Sequence, residues 1–248
     1  MNRAMAAALA PSVAAARAET TRCLTLTGVR VLLALVAMLA VTPAALATAR
    51  VSSDGREPGT LPDTLAFSVC LLVFAAIASV CAGADHRSGE LVVGLTAVPS
   101  RTRLALARLL ALSLVNGSCA LLVFGIDRGI RLQTDPGAGR GGLPEHRVAL
   151  GFLCATITVT VLAAALTTLL RHAMLSMAVV LLAPILVVPF LDRVLPSVAA
   201  ALPFNASSVA VTGSGSTPMP WLVGVALLAG WGVAAVVTSV LHLRRRDL

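Results

Sequence analysis

Residues able to do chemistry are few in this 248-residue chain, and their spacing excludes most reactions. All 19 basic side chains are arginine. With no lysine, a G-x-x-x-x-G-K loop that reaches nucleotide phosphates cannot be built. Five cysteines, Cys23, Cys70, Cys81, Cys119 and Cys154, form no CxxC pair and have no histidine partners at metal-ligand spacing. Four of them sit in apolar runs, where a thiol packs as a small hydrophobe. Neither a metal nor a cofactor is expected in this chain. A serine nucleophile needs a base beside it. Ser79, Ser113, Ser118, Ser176 and Ser239 fall inside apolar stretches, whereas His86, His146, His172 and His242 fall at their ends or between them. The chain therefore reads as a non-enzyme. Asn116, Thr156, Thr158 and Thr160 are the notable polar groups inside apolar stretches. Two readings stand for them: hydrogen bonding from helix to helix, or, for Asn116, Thr156 and Thr160, the lining of a substrate path.

The elements that must position these residues follow from composition. The chain is 58% hydrophobic and 12% charged, against about 25% charged for a soluble domain, and its mean hydropathy is +0.93. Too few polar residues remain to cover a water-facing surface. Six apolar stretches, 31–49, 64–84, 104–126, 148–170, 173–191 and 220–241, are each long enough, at about 1.5 Å per residue, to cross a hydrocarbon core of about 30 Å. Arg108 snorkels from the third toward the headgroups. Polar and apolar residues do not alternate as barrel strands require. The expected fold is an all-α integral membrane protein, with one six-helix transmembrane domain over 31–243 and a basic tail at 244–248. Residues 1–30 are either an interfacial cytoplasmic helix or, in part, a cleaved signal peptide.

Arginine counts orient the spans. With both termini cytoplasmic, 12 arginines lie inside and 7 outside, as the positive-inside rule requires. Scattered arginines with no interleaved aromatic stripe, and no tyrosine at all, argue against nucleic acid. Arginine without lysine and abundant alanine suggest a high-GC bacterial genome, and hence the inner membrane, with lipid as the surrounding partner. No ionisable residue is expected mid-span, where each costs roughly 2.5 to 3.5 kcal/mol; this argues against an ion-coupled carrier. Pro184 and Pro189 should bend the fifth span, and Pro43 the first. Small residues recur every fourth position at Ala75, Ser79 and Gly83 and at Ala226, Gly230 and Ala234, which lets helices approach closely. Between the last two spans, VLPSVAAALPFNASSVAV should form one or two short helices, with GSGSTP as a link.

The loop between the second and third spans has the most internal design: ADHRSGELVVGLTAVPSRTRLALARLLA. Leu91, Leu95 and Val98 fall on one face of a short amphipathic helix. Pro99 ends it, Ser100 caps the next helix, and Arg101, Arg103 and Arg108 set where that helix enters the membrane. The result is a compact knob able to receive force from another protein.

At P-S-R-x-R-L-x-x-A-R, residues 99–108, with the charged pair and Gly89 before it and RRRDL closing the chain, the sequence resembles permease subunits of ATP-binding cassette transporters, and most of all the type-2 exporter group. The order before the glycine differs from the pattern of that group: His86 and Arg87 precede Ser88 and Gly89, and Glu90 follows. The resemblance implies a transport subunit that pairs with a second permease copy or a paralogue and with separate cytoplasmic ATPase subunits, which would bind ATP and Mg. It also implies an ATPase-coupling loop that uses Arg87, Gly89, Glu90, Leu91, Leu95, Pro99 and Arg101. The expected function is export of an amphiphilic or hydrophobic substrate by alternating access. The alternatives are a non-transporting membrane scaffold or sensor that uses the same knob, and a secondary carrier.

Overall fold

A computed structural model describes residues 29–38, 61–88, 101–134, 144–213 and 219–244, with positions 18, 20, 21 and 25 before them. Among these residues every regular element is helical. The helices are α1 (Val29–Met38), α2 (Leu61–Ser88), α3 (Arg101–Thr134), α4 (Glu145–Leu170), α5 (Ala173–Leu182), α6 (Val188–Val194), α7 (Pro196–Ala200), α8 (Pro203–Thr212) and α9 (Trp221–Arg244). A π-helical turn, Ala183–Val187, joins α5 to α6 into one rod. Five apolar rods are long enough to cross a bilayer: α2, α3, α4, the joined α5–α6 and α9. At about 1.5 Å per residue, the 22 residues of Ala173–Val194 reach about 33 Å. Of the first expected span, 31–49, residues 31–38 belong to α1 and the remainder, Pro43 included, lies outside the described residues.

Alanine, leucine and valine dominate these rods, and they are apolar all round rather than on one stripe, which fits burial in protein on one side and lipid on the other. α4 is the central element and packs against α2, α3, α5, α8 and α9. Its buried face is built largely of alanine and threonine: Ala155, Thr156, Thr160, Ala163, Ala164 and Thr167. Small side chains of this kind let neighbouring backbones close in. Aromatic side chains pack between α4 and α2. Phe152 of α4 stacks at a tilt on Phe67 and Phe74 of α2, with ring centroids 4.9 and 6.4 Å away. Val29 and Val36 of α1 and Leu228 of α9 complete this core. Large apolar side chains crowd the outside, with Met174, Ile185, Leu186, Phe190 and Leu222 all more than 60% exposed. Such a surface suits hydrocarbon and not water.

At the two prolines expected to bend the fifth span, the helix contains the π-turn. Pro184 is its second residue, and the Val188 N–H reaches back five residues to the Ala183 carbonyl. Pro189 follows immediately. In α geometry its ring would press on the Ile185 carbonyl; the wider turn relieves that clash. Between α4 and α5 the chain reverses within two residues: Arg171 adopts a left-handed conformation (φ 55°) and its N–H bonds the Thr167 carbonyl at 2.9 Å.

Candidate functional site

Two of the polar residues of the apolar stretches, Asn116 and Thr160, meet at a junction of three helices. Asn116 and Thr160 lie near the middle of the apolar lengths Ala105–Ile130 and Glu145–Leu170. Asn116 is completely buried and uses both amide hydrogens across helices: Nδ2 donates to the Phe74 carbonyl of α2 at 3.1 Å and to Thr160 Oγ1 of α4 at 2.9 Å. One side chain thus fastens α2, α3 and α4 together. Thr156 and Thr160 are likewise 0% exposed. Thr158, on another face of α4, donates to the Leu228 carbonyl of α9 at 3.1 Å. Further along, the Thr167 and Ser176 hydroxyls meet at 2.8 Å and both reach the Ala163 carbonyl, which ties α4 to α5. Thus Asn116 and Thr160 are joined, Thr156 lies one turn from Thr160 along α4, and all three are fully buried in this conformation.

The loop residues are placed differently. Arg87 lies in the last turn of α2 and Arg101 is the first residue of α3. Gly89, Glu90, Leu91, Leu95 and Pro99 lie outside the described residues. The geometry fixed around them is that of their anchors: two long helices clamped to each other and to α4 by Asn116, about 22 Å along α3 from Arg101.

At the opposite end of the bundle the chain does something composition only hinted at. After α6 it turns back along α9 instead of leaving the protein. The turn after α7 lies beside Trp231, whose indole Nε1 donates to the Ala201 carbonyl at 2.8 Å. α8 then climbs back to Trp221, whose Nε1 donates to the Ala210 carbonyl at 2.9 Å. The two indoles are ten residues apart, about 15 Å along α9, so α8 runs antiparallel to the first turns of α9. Its backbone touches two glycines. A Cβ on Gly151 of α4 would lie 2.6 Å from the Ala210 carbonyl carbon, and one on Gly224 of α9 would lie 3.1 Å from the Ala206 oxygen. Ala206, Ser207, Val209, Ala210 and Val211 are buried by this fit. Asn205 locks the base of the hairpin by donating to the Ala199 carbonyl at 2.9 Å and to Asp192 Oδ1 at 3.2 Å. Gly213, left-handed at φ 71°, ends α8.

Charge is also placed where the sequence pattern did not anticipate it. α3 does not stop at Ile126 but runs to Thr134. This makes Asp127 a helical residue that is turned inward and 7% exposed, while Arg128 forms an ion pair with Glu145, the first residue of α4. Beside them Arg147 stacks its guanidinium 5.7 Å from the Trp221 ring centroid. The signals available in the sequence were indirect. A tryptophan N–H in an apolar helix requires an acceptor, and an Asp-Arg pair one step beyond a span continues a helix as readily as it ends one. No protein-family model matches the chain, and no curated protein matches it.

Proposed function

We propose that this chain is the membrane-spanning permease subunit of an ATP-driven transporter of the ATP-binding cassette class, and that it exports an amphiphilic or hydrophobic substrate. The loop between α2 and α3 carries the reading: P-S-R-x-R-L-x-x-A-R at residues 99–108, preceded by an amphipathic turn. Two features of the fold support it. The helices flanking that loop are joined to α4 by Asn116, so a push on the loop would move three helices together rather than bend one. The α7–α8 hairpin occupies the other end of the bundle, held by hydrogen bonds and close packing but by no covalent link beyond the chain itself. It has the geometry of an outer stopper that can be displaced.

In this reading α1 begins the first of six spans and both termini are cytoplasmic. The Ser88/Arg101 end then faces the cytoplasm, where the excess of arginine lies. A second copy or a paralogue completes the pathway in a bacterial inner membrane. A separate ATPase holds ATP and Mg and docks on Arg87, Gly89, Glu90, Leu91, Leu95, Pro99 and Arg101. Alternating access would require Asn116, Thr156 and Thr160 to change neighbours, and this is how they would come to border a substrate path.

The test is co-purification. A tagged chain should retain an ATPase that carries a G-x-x-x-x-G-K-[ST] loop, and replacing residues 87–101 by a Gly/Ser linker should abolish that association. Retention by the linker variant refutes the coupling loop. Association without any effect of this chain on ATPase turnover in vesicles, and with no solute accumulated, identifies a scaffold or sensor. Transport with no ATPase present identifies a secondary carrier.

A further inference from the structure

We propose that in this conformation an ordered water molecule is lodged between Asn116 and Thr156 at the centre of the bundle. Asn116 donates both amide hydrogens, to the Phe74 carbonyl and to Thr160, yet its carbonyl Oδ1 is buried with no partner. The Thr156 hydroxyl is in the same state. It does not make the bond to the carbonyl four residues back that Thr167 makes to Ala163 and Ser239 to Ala235. Thr156 and Thr160 are four residues apart, so they occupy successive turns of one helix face, and Thr160 is the residue that Asn116 grips. A Cβ on Gly117, next to Asn116, would meet Leu153 Cδ1 at 3.2 Å and Ile157 Cγ1 at 4.0 Å, so the stretch of α4 that carries Thr156 packs on α3 beside Asn116.

The chemistry of the two orphaned polar atoms is complementary to water. Oδ1 can only accept, and a hydroxyl can donate and accept; a water donates to the first and either donates to or accepts from the second. Native interiors leave few such atoms unpaired, and buried waters typically make about three hydrogen bonds to groups of this kind. Ser79 Oγ is also buried and unpaired, but it shares the Ala75–Gly83 stripe that meets α5 at Ala173 and belongs to another contact. The inference is independent of what the protein transports.

The experiment turns on a sign. Thr156→Val is nearly isosteric and replaces the hydroxyl by a methyl. With a water bound, it strips the water of an anchor and lowers the thermal midpoint in detergent by a few degrees, at about 2–4 °C per kcal/mol for a chain of this size. With nothing bound, it deletes an orphaned polar group and the midpoint rises. Thr156→Ser keeps the hydroxyl and should stay nearer the unaltered protein than the valine variant does. In an Asn116→Leu background the water has lost its other anchor, and the valine substitution should no longer destabilise. A raised or unchanged midpoint for Thr156→Val in the otherwise unaltered protein overturns the proposal. Should that variant not accumulate, a density map of the unaltered protein at a resolution that shows ordered solvent decides alone. A peak within hydrogen-bonding distance of both Asn116 Oδ1 and Thr156 Oγ1 supports the proposal, and its absence overturns it.

Discussion

Adding one methyl group at Gly151 should loosen the α7–α8 hairpin. Gly151 is buried on α4, and a Cβ there would stand 2.6 Å from the Ala210 carbonyl carbon and 3.4 Å from its Cα, where nonbonded carbons settle at about 3.5–4.0 Å. The obstacle is backbone, so no rotamer change relieves it; α8 must retreat by roughly an ångström. It cannot retreat freely. On its other side the Gly224 Cβ position is already within 3.1 Å of the Ala206 oxygen and 3.2 Å of Val209 Cγ1. The Ala210 carbonyl is also the acceptor of Trp221 Nε1, so the same shift breaks that bond. Overpacking of this kind costs about 1–3 kcal/mol and the lost hydrogen bond about 1 kcal/mol, roughly 2–4 kcal/mol together. Thermal unfolding in detergent, followed by tryptophan emission, is the assay, because Trp221 and Trp231 are the only tryptophans and both grip the hairpin. Gly151→Ala should fall by about 5–15 °C with a red-shifted native emission. Gly125→Ala and Gly230→Ala serve as references: nothing lies within 4 Å of either added carbon, so better helix propensity should leave them unchanged or more stable by about 0.5–1 kcal/mol. Equal stability for Gly151→Ala and Gly125→Ala would refute the close approach of α8 to α4.

Trp231→Phe removes the donor to the Ala201 carbonyl; a loss of about 1 kcal/mol is expected, with faster hydrogen exchange over residues 196–203 and none in α4. Asn116→Leu severs bonds to two helices and should lower resistance to SDS unfolding by about 1–2 kcal/mol, from two interhelical hydrogen bonds worth about 0.6 kcal/mol or more each. Arg171→Gly places the residue that tolerates a left-handed backbone at the α4–α5 turn and should gain about 1 kcal/mol in the same assay. Arg128→Gln removes an ion pair whose glutamate is 58% exposed; the change should stay within about 1 kcal/mol and disappear in high salt.

Some of these features are legible in the sequence. The prolines at 184 and 189 announced a disturbance of the fifth span because a missing N–H is a property of the residue itself. That they are accommodated in a π-turn, between an α5 packed on α2 and α4 and an α6 that leads into the hairpin, is seen only in the folded chain. Asn116, Thr156 and Thr160 stood out as polar residues in apolar surroundings, but spacing along separate helices says nothing of which helices meet. Only the tertiary arrangement put the Asn116 amide between the Phe74 carbonyl and Thr160. Asp127 shows the reverse: the apolar pattern ends at Ile126, yet the helix runs on to Thr134 and Arg128 pairs with Glu145 across the α3–α4 gap.

What the chain determines by itself is its solvent and its elements. Apolar stretches of this length, in which backbone groups must bond internally, leave helices as the economical solution, and all described regular structure is helical. What only the tertiary structure decides is depth and neighbourhood. The return of α8 along α9, the indole bonds at Ala201 and Ala210, and the requirement for glycine at 151 all arise where segments remote in sequence touch. The physical reason is one of range: hydropathy and missing N–H groups act on a residue and its own turn, whereas a hydrogen bond or a 3 Å contact between helices exists only once both helices are in place.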